Sequence, residues 1–382
     1  MTTAALDLTG LTAGPSQVWG GVRLVPLIRS EPIADLRLHR EVYEKTETGV
    51  VSLGDRTSYL SYIPHGLVAD FTRDGTPAVS YGTQIVEPGG RPVCCPLRFH
   101  RRMVKRQDKN RVRFFPLHLA MEGYLSLHFG GPSVVWEEWS HKAVREGLSP
   151  RVEQAYTGAE VDGLREALRI FELHPGQCGV LLYTADALAA AFAVPHPDDY
   201  RALHATLVQD MYGEPVFHYA AYGGPVPEFT AAIAAEDIGT LAQLRAAAEA
   251  QQRAWTEFHD GTMAAGLLDP AYTWEHVRRM GPYRLLRFRP PFERQREQHI
   301  GEAITDAAGR IAYLKTFRLS EKQIRRGHLL TALAAHEWSI ADTAGSLGTT
   351  HDELVRRIGR LGFGDLVMQH VRDKAQRGHR GR

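Results

Sequence analysis

The chain contains no residue spacing that specifies a catalytic centre. Its 382 residues include no G-x-S-x-G, no G-x-x-x-x-G-K-[ST], no H-E-x-x-H and no C-x-x-C. Glu137 and His141 are four residues apart, so a helix would place a carboxylate beside an imidazole for acid–base catalysis, with Glu138 and Trp136 adjoining. The same pattern fits a solvated helix face with Trp139 in the core. Glu137, Glu138 and His141 are therefore weak catalytic candidates, and the sequence favours a function without catalysis.

Cysteine and histidine usage gives no metal site. Cys94 and Cys95 are adjacent, so their side chains point to opposite sides of a strand and cannot share a metal. Cys95 lies near the basic cluster 98–106, which would lower its thiol pKa and make it a nucleophile, although the sequence favours a core cysteine at this position. The cluster belongs to a longer basic stretch, 98–113. The stretch itself fits either a phosphate or nucleic-acid clamp or a solvated hairpin. The 18 histidines lack ligand spacing, so no metal and no cofactor are expected.

The clearest pattern lies at 320–363, where three short helices are predicted. Ser320 and Gln323 have capping-box spacing, which satisfies free N–H groups in the first helical turn. Ser339 caps a shorter second helix that ends at Gly348, a residue suited to the left-handed conformation after a helix, and Thr350 caps a third. Each helix has one apolar face: Ile324, Leu329, Leu330 and Leu333; Ala341, Ala344 and Leu347; Leu354, Ile358 and Leu361. This arrangement describes a helix-turn-helix behind a longer supporting helix.

The segments A-D-T-A-G-S-L-G and T-T-H-D-E-L-V-R-R-I-G-R-L-G-F resemble the Fis-type helix-turn-helix that closes many bacterial regulators. That resemblance implies that the third helix is a recognition helix. Its expected DNA-binding residues are Thr350, His351, Val355, Arg356, Arg357 and Arg360. Arginines there bind phosphates or read guanine edges, whereas Asp352 at the helix start would repel a phosphate. Docking on DNA and docking on a protein both stay open.

Composition is that of a soluble globular protein, with 43% hydrophobic and 23% charged residues. No stretch approaches 18 apolar residues, the N-terminus lacks the pattern of a signal peptide, and three cysteines suit a reducing compartment. We therefore expect a cytoplasmic protein that does not enter a membrane. From Arg278 to the end, 21 Lys and Arg stand against 11 Asp and Glu, while the whole chain carries only +1. A basic end beside an acidic body is expected where one end meets a polyanion.

Periodicity predicts an α+β fold. Short strands separated by turns are predicted up to residue 98, helices follow from residue 133, and one of these helices is predicted at 185–192. The expected architecture is a strand-rich N-terminal body with packed helices, a small C-terminal sheet and a three-helix helix-turn-helix. The predicted segments are a flexible leader (1–15), an α+β body (16–225), a helical segment with a small sheet (226–317), the helix-turn-helix (318–366) and a basic tail (367–382).

Five segments carry a second resemblance: V-R-L-V-P-L, T-Q-I-V-E-P-G-G-R-P-V, V-V-W-E-E-W-S-H-K, G-V-L-L-Y-T-A-D-A-L and L-H-A-T-L-V-Q-D-M-Y. From about Gln17 to Tyr222, the chain resembles the ARPP domain (ADP-ribosylglycohydrolase and rhodanese-phosphatase associated protein). The polar segment that this domain has before the position of Thr83 is replaced here by V-S-Y-G, which indicates a divergent branch. The resemblance implies a bacterial conflict, stress or ADP-ribose-linked setting, and it supplies no established chemistry.

These observations favour a non-enzymatic adaptor or regulator of a bacterial defence or stress system that binds DNA or a protein partner through its C-terminal helix-turn-helix. A homodimer is expected, because a single helix-turn-helix binds DNA weakly. One alternative is a hydrolase or transferase acting on an ADP-ribose-like or nucleotide substrate. A second alternative is a structural assembly protein. Salt-dependent DNA binding separates the regulator from the assembly protein, because phosphate contacts release counterions.

Overall fold

The computed structural model describes residues 2–38, 161–163, 174–226, 229–293, 295–364 and 367–380, with short stretches at 50–52, 58–60, 67–71, 77–81, 112–114 and residue 117. Mixed helices and strands over these residues confirm the α+β class. In the part of the chain described, no helix combines the length and the apolar character that crossing a bilayer requires.

An antiparallel sheet of ten strands lies at the centre of the described structure. The strands in chain order are β1 (Thr2–Ala4), β2 (Thr12–Ala13), β3 (Gln17–Trp19), β4 (Val22–Ile28), β5 (Arg37–Leu38), β6 (Val50–Ser52), β7 (Ser58–Leu60), β8 (Leu67–Phe71), β9 (Pro77–Tyr81), β10 (Val112–Phe114), β11 (Gln177–Thr184), β12 (Ala187–Ala193), β13 (Tyr272–Met280), β14 (Tyr283–Arg289), β15 (His299–Thr305) and β16 (Ile311–Arg318). The large sheet has the order β1-β13-β14-β15-β16-β12-β11-β4-β2, and β3 also pairs with β4. Two three-stranded sheets, β10-β7-β6 and β5-β9-β8, accompany it.

The central strands are buried on both faces. Every position of β11 and β15 is buried, which explains why neither strand shows the alternation of apolar and polar residues that a half-exposed strand has. Ala185 and Asp186 join β11 to β12 with φ of 49° and 58°, the left-handed pair that a two-residue hairpin turn requires. Gly309, at φ 85°, completes the turn between β15 and β16.

Eight α-helices lie within the described residues, and they form one layer on each face of the sheet. They are α1 (Pro197–Thr206), α2 (Gly213–Tyr222), α3 (Leu241–Phe258), α4 (Ala265–Leu268), α5 (Glu321–Ala335), α6 (Ile340–Ser346), α7 (His351–Arg360) and α8 (Gln369–Arg380). Five-residue π-helical turns follow α1 and α3, at Leu207–Met211 and His259–Met263.

Each layer has its own apolar core. On one face, side chains of β11, β12, β14, β15 and β16 pack with residues of α1, α2 and α5–α8, among them Phe192, Leu329 and Ile358. On the other face, Trp255 of α3 and Leu267 of α4 pack against the same strands. The C-terminal helices therefore share a continuous core with the body of the protein.

Two predicted segments differ from the structure in their pairing. The strands at 283–317 do not form a separate small sheet, because β16 pairs with β12 and joins them to the large sheet. Residues 1–15 are not a free leader, since β1 pairs with β13 and Leu6 is buried. In both cases an otherwise open strand edge is closed by a partner distant in the sequence.

Two further segments differ in secondary structure. The helix predicted at 185–192 is strand β12, because pairing with β11 and β16 outweighs the helix propensity of its alanines. The basic tail includes the helix α8, whose Ala375 is buried in the core. The segment that the sequence indicated only as basic is therefore an amphipathic helix, and one of its faces packs against the core.

Candidate functional site

The C-terminal helical unit, defined as α5–α8, begins each of its first three helices at the predicted cap. The amide of Gln323 donates to the Ser320 hydroxyl over 3.3 Å, and the Ser320 amide donates to Oε1 of Gln323 over 2.8 Å. The hydroxyls of Ser339 and Thr350 accept from the amides three residues further on, over 3.3 and 3.2 Å. These bonds satisfy donors that the first helical turn leaves free. The predicted caps are confirmed.

Tight connections fix α7 relative to the other helices. Gly348 lies at φ 60° between α6 and α7, and the amide of Thr349 donates to the Ala344 carbonyl over 2.9 Å. From α5, Nε of Arg326 donates to the Leu361 carbonyl over 2.7 Å, and its guanidinium lies 5.3 Å from the centre of the Phe363 ring. The end of α7 is therefore held against α5 by a buried arginine.

The predicted recognition residues divide into exposed and buried positions. His351 and Arg360 are exposed on α7, and Thr350 is exposed although its hydroxyl caps the helix. Val355, which was expected to face outward, is only 2% exposed. It belongs to the apolar core that also contains Ala375 of α8, a helix that the sequence pattern did not place there. Val355 therefore contributes to packing and not to a surface contact.

Arg356 links α7 to α8. Its Nε and Nη2 donate to the Glu353 carboxylate over 3.1 and 2.5 Å, and its Nη1 donates to the Ala375 carbonyl over 3.2 Å. Arg360 also donates to Glu353. The hydrogen bonds from Arg356 hold the pKa of Glu353 below its ordinary value. The Arg356 guanidinium is therefore engaged within the protein, whereas Arg360 is exposed and Arg357 is partly exposed.

A groove of about 650 Å³ runs between α5 and α7. Its lining residues are Glu321, Lys322, Arg325, Arg357, Arg360 and Leu361. Arg325 pairs with Glu321 across one turn of α5. Among the described residues, neither Lys322 nor Arg357 has an ion-pair partner within 4 Å. Four cations against one lining carboxylate make this groove positive, and we call it the basic groove.

Lys322 and Arg325 were not selected from the sequence. They lie on the first turns of α5, apart in the chain from α7, and only the docking of α5 against α7 brings them beside Arg357. The available signal was their spacing of three residues, which puts two cations on one helix face next to a cap. Such a pair predicts a positive surface but does not predict which other helix lies beside it.

A second cavity lies on the other side of Arg360, between α7 and α8. It measures about 570 Å³. Its lining residues are Glu353, Val355, Arg356, Gly359, Arg360, Gly364, Arg372 and Gln376. Arg356 and Arg360 both donate to Glu353 here, Arg372 also lines the cavity, and we call it the arginine cleft. The arginine cleft and the basic groove meet at Arg360, so the two positive surfaces are continuous.

The sheet contains a buried ion pair. Nζ of Lys315 lies 3.5 Å from Oε2 of Glu302, and both side chains are 0% exposed. Burial lowers the pKa of Lys315, and the carboxylate of Glu302 opposes that shift. Arg287 and Glu275 continue the row across β14 and β13. Since neither central side chain reaches solvent, the pair acts within the core and not on a substrate.

A second polar chain fastens the end of α3 to the sheet. The Tyr183 hydroxyl lies 2.6 Å from Nε2 of His259, whose Nδ1 lies 2.7 Å from Oδ1 of Asp260. Burial lowers the pKa of His259, and Asp260 opposes the shift. Tyr183 and His259 are fully buried, so a substrate from solvent meets only the half-exposed Asp260. This chain orders α3 and is not a catalytic centre in this arrangement.

The catalytic candidates from the sequence lie outside the described residues. This holds for Glu137, Glu138 and His141, for Cys95, and for most of the basic stretch 98–113. Catalysis by these residues stays a prediction. Within the described part of the chain, no group of three or more His, Cys, Asp or Glu side chains could hold a metal ion.

A comparison with models of known protein families gives a match. The ARPP-2 family model matches residues 6–281, which extend from the segment after β1 to the end of β13. This range is longer at both ends than the resemblance seen in the sequence, because it includes the loop before β2 and the helices α3 and α4. Neither the curated proteins nor the solved structures gave a match. The match covers well over half of the chain, and the protein therefore belongs to the ARPP-2 family.

Proposed function

We propose that this protein is a non-enzymatic regulator of a bacterial defence or stress system that docks on DNA through a Fis-type helix-turn-helix formed by α5–α7. The observation that carries the proposal is the basic groove beside the recognition helix. The defence or stress setting rests on the ARPP resemblance alone.

The backbone geometry supports this proposal. A short helix, a tight turn with a left-handed glycine and a second helix, held by a longer helix behind, are the parts of a helix-turn-helix. In such a unit the second helix enters the major groove and the flanking elements contact the backbone. Here α7 has the role of the recognition helix.

The distribution of charge supports it as well. Lys322 and Arg325 on α5 continue the positive surface of Arg357 and Arg360 on α7, so one side of the unit can follow a phosphate backbone. Asp352 is part-exposed at the start of α7, where it would oppose a phosphate. The cationic residues outnumber it along the groove, and we expect the backbone contacts to lie toward the end of α7.

The test is a titration of the full chain with a DNA duplex at several salt concentrations. The full chain is needed because β13–β16 belong to the large sheet, so a C-terminal fragment would lose its pairing partners. Lys322→Ala with Arg357→Ala should weaken binding and flatten the slope of log affinity against log salt by about two. The matched control is Arg279→Ala with Arg284→Ala, which removes two cations from exposed positions of β13 and β14.

Binding that does not respond to salt, or an equal loss in both double variants, would contradict docking at this groove. The helix-turn-helix would then be a protein-docking unit. We also expect a homodimer that presents two units to two half-sites, since one unit binds weakly. Sedimentation of the full chain with and without DNA measures that state directly.

A further inference from the structure

We propose that the buried guanidinium of Arg29 is the centre of a binding site for one small anion, between the large sheet and α1. We call this place the anion site. The inference goes beyond the proposed function, because the anion site lies in the core and takes no part in docking on DNA.

The first argument is a buried charge without a counter-ion. Arg29 follows the last residue of β4 and is 4% exposed. Its Nη2 donates to the carbonyls of Val194 and Ala312 over 3.4 and 3.3 Å, and none of the described carboxylates lies within 4 Å of it. An arginine keeps its proton in proteins, and a charge in a protein core is costly unless an opposite charge accompanies it. An anion beside Arg29 supplies that opposite charge.

The neighbouring thiol does not supply it. The Arg29 guanidinium donates to the sulfur of Cys178, but burial raises the pKa of this thiol, and Arg29 only opposes the shift. At neutral pH, Cys178 is therefore an uncharged S–H group beside the guanidinium. Such a group can donate its hydrogen to the same anion that Arg29 binds.

The second argument is that polar atoms near Arg29 lack hydrogen-bond partners. Nε of Arg29, Oε1 of Gln177 and the hydroxyl of Tyr212 are shielded from solvent and unpaired. The hydroxyl of Tyr200 lies among them, because the Gln177 side chain bonds to it. It also interacts electrostatically with Tyr212 and with Cys178. Buried polar groups without a partner are rare in folded proteins, so a cluster of them marks a place where a polar ligand can bind.

The third argument is the irregular backbone at the same place. The pairing of β11 with β4 shifts by one residue between Gln177 and Gly179, so Cys178 lies on a β-bulge. A bulge redirects side chains, and here it lets both Gln177 and Cys178 approach Tyr200 of α1. Tyr212 follows the π-helical turn at Leu207–Met211, and such turns are frequent at functional sites. Two departures from regular structure therefore position the polar groups.

The donors determine the class of the ligand. The guanidinium of Arg29, the thiol of Cys178 and the hydroxyl of Tyr212 can all donate to an anion. The Gln177 amide can turn its nitrogen toward the anion, because its 3.5 Å bond to the Gly179 carbonyl is at the limit of a hydrogen bond.

The ligand has to be small, because the side chains of Arg29, Gln177, Cys178 and Tyr212 are at most 5% exposed. The shared chemistry is one negative charge on a few atoms. A halide ion and a carboxylate are the two sources of that chemistry.

The experiment measures the Tm of the full chain in sodium chloride, sodium formate and sodium gluconate at one ionic strength. Gluconate is too large for the anion site, and the constant ionic strength keeps the screening of surface charges the same. A ligand that binds only the folded protein stabilises it, so chloride or formate should raise the Tm above its value in gluconate by about 4 °C. Arg29→Met should remove that rise.

Two tyrosine variants form a matched pair. Tyr212→Phe removes a hydroxyl without a partner in the protein, so it should leave the Tm in gluconate unchanged and weaken anion binding about tenfold. The hydroxyl of Tyr272 donates to the Leu267 carbonyl on the other face of the sheet. Tyr272→Phe should therefore lower the Tm equally in all three salts. Because Tyr212→Phe keeps the shape of the core, it tests the site even where Arg29→Met does not fold.

The two anions separate the sources. A rise in Tm with chloride alone identifies a halide site, whereas a rise with formate, with or without chloride, identifies a carboxylate site. Either result supports the proposal when Arg29→Met or Tyr212→Phe reduces the rise.

The same rise in the wild type and in both variants, or no rise in the wild type, would overturn the anion site. Water would then be the partner of the unpaired polar atoms. None of these outcomes changes the expected salt dependence of DNA binding at the basic groove, so the two proposals fail separately.

Discussion

Helices α3 and α5 have similar lengths, but α5 packs into the core whereas most of α3 is exposed to solvent. Seven of the 15 residues of α5 are buried, whereas Trp255 is the one buried residue among the 18 of α3. Both helices begin with a hydroxyl cap, and both carry apolar residues at helical spacing. The sequence patterns of the two helices are thus alike. The helices differ in how much of their surface is buried by the rest of the protein.

How deeply a helix is packed into the protein decides whether it can hold other groups in position. α5 is docked so closely that a side chain at Gly327 would collide with the Phe292 ring, and its Arg326 holds the end of α7. α3 leaves Leu241 and Leu244 exposed by 62% and 42% and is anchored mainly at its far end, where Trp255 donates to the Ala13 carbonyl. We conclude that α5 carries the candidate site, while the first turns of α3 depend on their own hydrogen bonds.

The largest expected effect comes from matched leucine truncations in the two helices. Leu329 of α5 is 0% exposed, so Leu329→Ala leaves a cavity in the core and should lower the free energy of unfolding by about 2–5 kcal/mol. Leu244→Ala in α3 should change it by no more than about 0.5 kcal/mol. Denaturant unfolding of both variants measures the difference, and equal losses would mean that α3 is covered in solution.

An effect of intermediate size is expected when the pH is lowered, and it comes from the helical layer that contains α5. His204 of α1 packs in the same layer as α5, and burial lowers its pKa to about 4. Below pH ~6.5 the unfolded chain binds a proton that the folded protein does not, so stability should fall as the pH drops toward 4. This single group accounts for about 3 kcal/mol of that loss.

His204→Gln should therefore reduce the slope of the unfolding free energy against pH between about 6.5 and 4. Leu244→Ala serves as the control, because α3 contains no histidine between Leu241 and Phe258, and its profile should match that of the wild type. An unchanged slope in His204→Gln would show that this imidazole takes up its proton in the folded state.

The sequence predicted features that depend on neighbouring residues. The caps at Ser320, Ser339 and Thr350 are local, since each hydroxyl bonds an amide three residues away. Features that depend on distant pairing were missed. The alanine-rich β12 is a strand because β16 lies beside it, and Val355 is buried because α8 is present. For the same reason, the sequence pattern indicated Arg357 but not Lys322, because only the tertiary structure brings these two residues together.

The smallest effect, and the sharpest test of the comparison, comes from removing the two caps. Ser320→Ala removes the hydroxyl that bonds the amide of Gln323, and because α5 is part of the core, the unfolding free energy should fall by about 1 kcal/mol. Thr240→Ala removes the equivalent bond to Gln243, but the first turns of α3 can open while the sheet stays folded. Global stability should then be unchanged, while hydrogen exchange at the amides after Thr240 becomes faster.

The expected difference between the two cap variants depends on α3 being exposed to solvent. It therefore also tests whether the leucines of α3 are exposed in solution. If Thr240→Ala lowers global stability as much as Ser320→Ala, the opening of α3 must be linked to unfolding of the whole protein. Leu241 and Leu244 would then be covered in solution, either by a second chain or by another part of the same chain. Repeating the measurement over a range of protein concentrations separates the two explanations, because only a contact between chains becomes stronger as concentration rises. A result independent of concentration would place the missing contact within the chain itself.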